Sequence, residues 1–358
     1  MADRVLMTGN DALGEGAIRA GCDAYFGYPI TPQNELTAYM AINMPRLGRV
    51  FIQAESEIAA INMVFGAAMT GKRAMTSSSS PGVSLKQEGI SFLAAAELPS
   101  VIVNVQRGGP GLGNIAPAQG DYFQATRGGG HGDYHTIVLA PDSAQEVHDL
   151  MFDAFALADR YRTPVMILSD GRLGQMMEPL VLREGPPPPV PDKPWALTGA
   201  KGRPANMIRT LIMEDGELEK HNARLQTKFK RILKELVRFE ERETADAEVL
   251  LVAYGTSARI AKGAVVQARR QGIKAGLLRP VTLWPYPHAR LRALAAQVRG
   301  IVVVEMSAGQ MLEDVRLAVS DSVPISFVGC MGGGVPEERV ILNAIRRLAK
   351  PARRGTRP

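Results

Sequence analysis

Up to about residue 180, short apolar runs rich in β-formers alternate with stretches of helical periodicity. The runs fall at 24–28, 50–53, 73–77, 101–105, 136–139 and 165–169. The helical stretches, 12–20, 57–69, 85–96 and 143–159, lie between most of them or just before the first. The pattern predicts an open parallel sheet covered by helices on both faces. In such sheets ligands bind outside the C-terminal ends of the strands. Residues 28–31, 53–57, 77–82 and 106–113 occupy that position.

The pattern then breaks. Gly185-Pro186-Pro187-Pro188-Pro189-Val190-Pro191 can continue neither helix nor sheet, because proline lacks the backbone donor. An extended linker is expected from Arg183 to about Pro204. A charged helix follows over about 216–243, with Leu225, Phe229, Ile232, Leu236 and Phe239 in a 4-3-4-3 spacing. That stripe suits packing on its own chain or on a neighbouring subunit, or a short coiled-coil seam. A second α/β unit runs over 247–349, with strands at 249–254, 275–278, 300–305 and 324–328 and helices at 258–271, 288–298, 309–319 and 336–348. The expected organisation is a first sheet domain over 1–182, the linker and charged helix over 183–246, a second domain over 247–349, and a basic tail over 350–358.

Composition narrows the function classes. A chain of 358 residues with 46% hydrophobic residues can fill about two domain cores. No uninterrupted apolar run is long enough to span a bilayer, and the first ten residues lack the apolar core of a signal peptide. A soluble, cytoplasmic protein without membrane contact is expected. The net charge of +6 is accounted for by six basic residues from Arg346 onward; without them basic and acidic residues are equal at 36. The body is balanced, so nucleic acid is not an expected partner. Cys22 and Cys330 are the only cysteines. They cannot supply the four thiolates of an iron–sulfur cluster or a structural zinc site, nor a disulfide framework.

Several motifs nearly match and fail. Gly66-Ala67-Ala68-Met69-Thr70-Gly71-Lys72 imitates a phosphate loop, but Arg73 replaces the hydroxyl residue and the segment ends a helix instead of opening one. Gly111-Leu112-Gly113-Asn114-Ile115-Ala116 spells a dinucleotide fingerprint but runs into Pro117. His131-Gly132-Asp133-Tyr134-His135 follows a glycine run and lacks a third metal ligand.

Others carry more. Glu57 enters the very apolar stretch Ile58-Ala59-Ala60-Ile61-Asn62-Met63-Val64-Phe65. A carboxylate there is costly to bury unless something uses it. Its ordinary role would be a first-turn acid at the positive end of the helix. Its chemical role would be that of the glutamate with which thiamine diphosphate enzymes share a proton with the cofactor's aminopyrimidine ring. Glu55 is the competing acid. Ser169-Asp170-Gly171 resembles the Gly-Asp-Gly that holds magnesium and diphosphate, but serine replaces the first glycine. The first downstream asparagine, Asn206, lies 36 residues beyond Asp170 and past the prolines. The chain is therefore expected to leave that end of the cofactor to another subunit. In Ser77-Ser78-Ser79-Ser80-Pro81-Gly82, hydroxyls and free helix-start amides can serve a ligand, a helix cap, or both. Arg107 stands at a strand end before Gly108-Gly109-Pro110-Gly111, where its fork suits a carboxylate or simply the surface.

Tyr28-Pro29-Ile30-Thr31-Pro32, the Glu57 helix, Arg107 and Asp170-Gly171, in that order, resemble the α subunit of the 2-oxoacid:ferredoxin oxidoreductases. The short 2-oxoisovalerate (3-methyl-2-oxobutanoate, branched-chain) type is the nearer likeness. It is carried by residues 27–32 and 53–66, Ser84-Leu85-Lys86-Gln87-Glu88-Gly89-Ile90-Ser91-Phe92-Leu93, Gly109-Pro110-Gly111-Leu112-Gly113-Asn114, Gly128-Gly129-Gly130-His131-Gly132, and Leu278-Arg279-Pro280. The resemblance covers nearly the whole chain. It implies a pyrimidine-binding domain followed by a transketolase C-terminal-like domain, and oxidative decarboxylation of a 2-oxo acid with coenzyme A taking the acyl group and ferredoxin the electrons. It implies a β subunit carrying the diphosphate and magnesium site, and γ and ferredoxin-like subunits carrying iron–sulfur clusters. Glu57 would be the catalytic acid, with Tyr28, Pro29, Ile30, Ser79 and Ser80 beside it on the shared thiamine diphosphate. Thr31, capping a helix from Pro32, and Arg107 would hold the substrate carboxylate. A 2-oxoglutarate enzyme of the same family, a 2-oxoacid dehydrogenase decarboxylase β chain, and a non-catalytic scaffold subunit stay open.

Overall fold

The computed structural model describes residues 4–320 and 323–350. Met1–Asp3 and residues 351–358, which hold most of the basic tail, lie outside the described residues.

The first half runs β1 (Arg4–Thr8), α1 (Gly9–Arg19), β2 (Ala24–Gly27), α2 (Asn34–Arg46), β3 (Val50–Gln53), α3 (Glu57–Met69), β4 (Ala74–Ser78), α4 (Ser80–Ala95), β5 (Ser100–Gln106), α5 (Tyr122–Thr126), β6 (Ile137–Leu139), α6 (Ala144–Tyr161), β7 (Pro164–Asp170), α7 (Gly171–Gln175) and β8 (Met177–Val181). The second runs α8 (Glu217–Glu235), β9 (Phe239–Arg242), β10 (Val249–Ala253), α9 (Gly255–Arg270), β11 (Ala275–Pro280), β12 (Thr282–Trp284), α10 (His288–Ala295), β13 (Gly300–Glu305), α11 (Gln310–Val319), β14 (Ile325–Gly329) and α12 (Glu338–Ala349).

The first sheet has seven strands in the order β12-β6-β7-β5-β4-β2-β3, and the second has five, β14-β13-β10-β11-β9. Within the first sheet every pair except β12 with β6 is parallel. Its central strands β4, β5 and β7 are buried along their whole length, which explains the apolar runs of β5 and β7; β4 buries Thr76, Ser77 and Ser78 instead. β1 and β8 form a separate antiparallel ribbon.

Three features depart from the pattern expected of the sequence. β12 leaves the second unit and joins the first sheet at β6, so the two units share a strand. The charged helix stops at Glu235, and Phe239 opens the edge strand β9, half-exposed at 37%. Glu240 of that strand pairs with Arg279 at 2.7 Å and Lys262 at 3.0 Å, which draws the segment onto the sheet edge. The remaining stripe residues, Leu225, Phe229, Ile232 and Leu236, are buried in the chain's own core. The proline-rich segment is also tied down. The buried Arg73 guanidinium donates to the carbonyls of Pro188 and Pro189, and Lys193 pairs with Asp159 at 2.6 Å.

The main core passes without a break from the first sheet to the inner face of the second, through Leu250, Val252, Leu278, Ile301 and Val303. A smaller core under α9 and α12 fills the second sheet's other face. No helix among the described residues is long and apolar enough to cross a membrane.

Candidate active site

β5, β4, β2 and β3 are neighbours in the sheet and run parallel, so their C-terminal ends share one edge. That edge brings together the segments after each strand: Arg107, Ser79 and Ser80, Tyr28 to Thr31, and Glu57. After β2 the chain turns, with the Gln33 amide donating to the Ile30 carbonyl at 3.1 Å. Thr31 does not cap the helix as expected. The turn closes at Gln33, α2 starts only at Asn34, and Thr31 Oγ1 accepts from Asn34 Nδ2 at 3.2 Å instead. Buried Gln33 pins this loop to β4: its Oε1 accepts from Ser77 Oγ at 2.5 Å, and the Tyr25 hydroxyl meets the same serine at 2.6 Å.

Ser56 caps α3 by accepting from the Ala59 amide at 3.1 Å, which puts Glu57 in the first turn. Both of its expected roles are compatible with that position. Glu57 is 5% exposed, whereas Glu55 is exposed. Among the described residues the Glu57 carboxylate makes no side-chain hydrogen bond. It abuts Gly82 of α4: a methyl there would overlap Glu57 Oε1 and Ser78 Oγ and stand 3.0 Å from Glu57 Cγ. α3 is apolar all round but buried on one side only, through Ala60, Ile61, Val64 and Ala68, leaving Ile58 48% exposed on the other. On α4, Lys86 is wholly buried and donates to Thr76 Oγ1 at 3.1 Å. Burial pulls its ammonium down to about 8, against the opposing attraction of Glu57.

α4 begins at Ser80, five residues before its expected start. Ser80 is fully engaged: its amide donates to Asn104 Oδ1 at 3.1 Å, its hydroxyl donates to Asp121 Oδ2 at 2.6 Å, and that hydroxyl accepts from the Arg107 amide at 3.0 Å. The hydroxyls of Ser78 and Ser79 are buried without a partner among the described residues. Arg107 is not the open fork that its sequence position suggests. Its Nη1 donates to the Thr31 carbonyl at 2.9 Å and its Nη2 to the Leu112 carbonyl at 3.0 Å, because both loops close over it; Nε is buried and unpartnered. A cavity of about 460 Å³ opens beside Ser80, between the two units, lined among others by Pro110, Asp121, Met306, Gln310 and Met331. Burial raises the Asp121 carboxyl there. Nothing in the sequence singled out Asp121 or Gln33.

Asp170 is used up structurally. Its Oδ1 accepts from the amides of Arg172 and Leu173 at 3.0 and 3.1 Å and from Thr256 Oγ1 at 2.9 Å, so it caps α7 and ties in the second unit. Burial raises its carboxyl. Among the described residues no group of three or more His, Cys, Asp or Glu could hold a metal ion. His135 stacks on Trp284 at 4.4 Å. The unbonded Glu57 carboxylate and the two unpartnered hydroxyls fit the polar edge of a small heterocycle.

Comparison with known proteins gives the class. Residues 15–216 match the family described as pyruvate flavodoxin/ferredoxin oxidoreductase, thiamine diphosphate-binding, and residues 247–341 match pyruvate:ferredoxin oxidoreductase core domain II. The chain belongs to the 2-oxoacid:ferredoxin oxidoreductase family and is one subunit of a multi-subunit oxidoreductase. It is 54% identical to the ketoisovalerate oxidoreductase subunit VorB of Methanothermobacter marburgensis, over 96% of this chain and 97% of the relative. It is 41% identical to the 2-oxoglutarate synthase subunit KorA of Archaeoglobus fulgidus, over 91% and 95%. A solved structure of the 2-oxoglutarate:ferredoxin oxidoreductase from Magnetococcus marinus, with 2-oxoglutarate, coenzyme A and succinyl-CoA bound, superposes with a TM-score of 0.84 at 28% identity. That match covers 98% of this chain and 66% of the other.

Proposed function

We propose that this chain is the α subunit of a branched-chain 2-oxoacid:ferredoxin oxidoreductase, acting on 3-methyl-2-oxobutanoate, and that Glu57 is its cofactor-activating acid. The observation that carries this reading is Glu57, a buried residue whose carboxylate makes no side-chain hydrogen bond among the described residues and abuts Gly82 beside the orphaned Ser78 hydroxyl, at an edge shared by four parallel strands. Identity of 54% to a ketoisovalerate subunit, against 41% to a 2-oxoglutarate one, favours the branched-chain substrate.

Thiamine diphosphate, when bound, supplies the nucleophile and the electron sink for decarboxylation. The chain's part is to exchange a proton between Glu57 Oε and the pyrimidine ring, in a site that burial keeps dry enough to strengthen that hydrogen bond. Ser78 and Ser79 offer hydroxyls to the ring's polar edge, with Tyr28, Pro29 and Ile30 forming the adjoining wall. Ser80 shapes the same pocket from within its bonds to Asp121 and Asn104. Thr31 and Arg107 orient the substrate carboxylate; their support is that the guanidinium already bridges to the Thr31 carbonyl and retains an unpartnered Nε.

The remainder of the site belongs to partners. A β subunit brings magnesium and the diphosphate site that Asp170 does not offer. It covers the bare side of α3 around Ile58. The γ and ferredoxin-like subunits carry the iron–sulfur clusters and pass electrons to ferredoxin. Coenzyme A is a substrate, and the complex is cytoplasmic. The domain division at 182, 246 and 349 is retained as the functional organisation, with β12 as the exchanged strand.

Co-expression with the neighbouring subunits and an oxo-acid panel tests this. The expected result is a brown complex whose kcat/KM for 3-methyl-2-oxobutanoate exceeds that for 2-oxoglutarate about tenfold or more. A preference for 2-oxoglutarate would reassign the substrate. A lipoyl-domain partner without clusters would indicate the dehydrogenase chain, and activity surviving loss of Glu57 would indicate a scaffold.

A further inference from the structure

Asp121 stands at the N-cap of α5, where an aspartate ordinarily accepts from the first amides of its own helix. Its side chain makes no such bond. Its Oδ2 accepts instead from Ser80 Oγ at 2.6 Å and from Asn104 Nδ2 at 2.9 Å, while its own amide donates to Gln106 Oε1 at 3.1 Å. A carboxylate can only accept, so Asn104 turns its NH2 group toward Asp121 and its Oδ1 toward the Ser80 amide, at 3.1 Å. Arg107 joins the same ring, because the Ser80 hydroxyl accepts from the Arg107 amide at 3.0 Å. One carboxylate thus fixes the first residue of α4 and the backbone of the arginine. Without it, Asn104 is free to flip, and the Ser80 proton turns to its competing acceptor, the Arg107 carbonyl at 3.2 Å.

The second unit grips the same segment. From Arg107 the chain folds back on itself through a bridge to Pro117 and a bond from the Gly108 amide to the Ala116 carbonyl at 2.9 Å. Just beyond, the Gln119 amide donates to the Met306 carbonyl at 2.8 Å, and Gln119 Oε1 accepts from the Met306 amide at 2.9 Å and from Ser257 Oγ at 2.7 Å. Gln310 of α11 brackets Asp121, donating to the Gly120 carbonyl at 2.6 Å and accepting from the Phe123 amide at 2.8 Å.

We propose that Asp121 is a positioning residue that locks Ser80, at the cofactor edge, and Arg107, at the substrate carboxylate, into one register, and that the second unit sets this register by holding the segment that carries Asp121. This rests on the assignment of Ser80 and Arg107 to cofactor and substrate. Asp121 itself exchanges no proton with either.

The test uses the assembled complex and two readouts. One is KM for 3-methyl-2-oxobutanoate; the other is the dissociation constant of thiamine diphosphate, titrated calorimetrically into the cofactor-depleted complex. In Asp121→Ala both constants should rise about tenfold or more. A packing role would lower the unfolding temperature and leave both constants in place. Asp121→Asn keeps an acceptor oxygen for Ser80 and Asn104, so both should return most of the way. Adding Ser80→Ala to Asp121→Ala should fall well short of the roughly hundredfold rise that two independent tenfold effects would give. Gln310→Ala leaves Asp121 in place and still tests the clamp if Asp121→Ala does not assemble; it should raise both constants about threefold or more. Unchanged constants in Asp121→Ala, or full additivity with Ser80→Ala, would overturn the proposal. Unchanged constants in Gln310→Ala would overturn the part given to the second unit. The two readings fail separately. A raised cofactor constant in Asp121→Ala with an unchanged KM in Arg107→Lys would remove Arg107 from the substrate site and keep the clamp. A raised KM in Arg107→Lys with unchanged constants in Asp121→Ala would overturn the clamp alone.

Discussion

Gly82→Ala tests the packing around the acid most stringently. The added methyl would overlap Glu57 Oε1 and Ser78 Oγ and stand 3.0 Å from Glu57 Cγ. Carbon atoms rest at about 3.5–4.0 Å, so the Glu57 side chain must retreat by about 0.5–1 Å. Gly82 lies in the first turn of α4, where alanine gains at most about 1 kcal/mol over glycine, while overpacking a filled site costs about 1–3 kcal/mol, so the net stability change is a loss of between about 0 and 3 kcal/mol. Turnover should fall far more, because misplacing a reacting group by about 1 Å can cost about 100-fold. The assay is dye-linked oxidation of 3-methyl-2-oxobutanoate by the reconstituted complex, alongside thermal unfolding. Gly263→Ala in α9 is the control, since its methyl meets only the mobile end of Glu338, at 2.7 Å from Oε2. Its turnover should be unchanged. Unaltered turnover in Gly82→Ala, or an equal loss in Gly263→Ala, would refute the claim that Gly82 seats Glu57.

Further outcomes follow from the same geometry. Arg107→Lys keeps the charge but cannot reach both the Thr31 and Leu112 carbonyls, so KM for the oxo acid should rise about tenfold or more with assembly intact; an unchanged KM with altered coenzyme A binding would give Arg107 another role. The isolated chain with magnesium should show no stoichiometric heat of thiamine diphosphate binding, because Asp170 is occupied as a cap; tight binding without a partner would show that the diphosphate is held here after all. Lys86 is lowered from 10.5 to about 8 by burial, so the unfolded chain holds that proton more tightly and stability contributed by this group rises as pH climbs from about 8 to 10.5. Denaturant titrations of wild type and Lys86→Met should therefore diverge by about 3 kcal/mol between those limits, and a pH-independent difference would contradict the burial argument.

β5 and β7 were legible because burial on both faces leaves apolar runs, and α3 because Ser56 announces a cap before an apolar stretch. The start of α4 was legible only in part: Ser77 to Gly82 reads as the opening of a helix, but the apolar periodicity begins only at Leu85, and Asn104 satisfies the Ser80 amide from another strand. β1, β8, β9 and β12 are short and owe their pairing to partners distant in sequence. Of the site, Glu57 stood out as a charge in an apolar stretch. Lys86 carried a comparable signal, a lysine between Val83 and Ile90 on an inward helical row, both of which are buried. Asp170 shows the limit of motif reading: the failed diphosphate pattern was visible, but its bond to Thr256 exists only once the two units meet.

Glu57→Gln in the reconstituted complex, paired with Glu55→Gln, tests the central claim most directly. Glutamine keeps the size and the burial but cannot give up or take the shared proton. The account predicts an assembled, brown Glu57→Gln complex with turnover reduced about 100-fold or more, and a Glu55→Gln complex close to wild type. Near-normal turnover in Glu57→Gln, with the loss in Glu55→Gln instead, would contradict it.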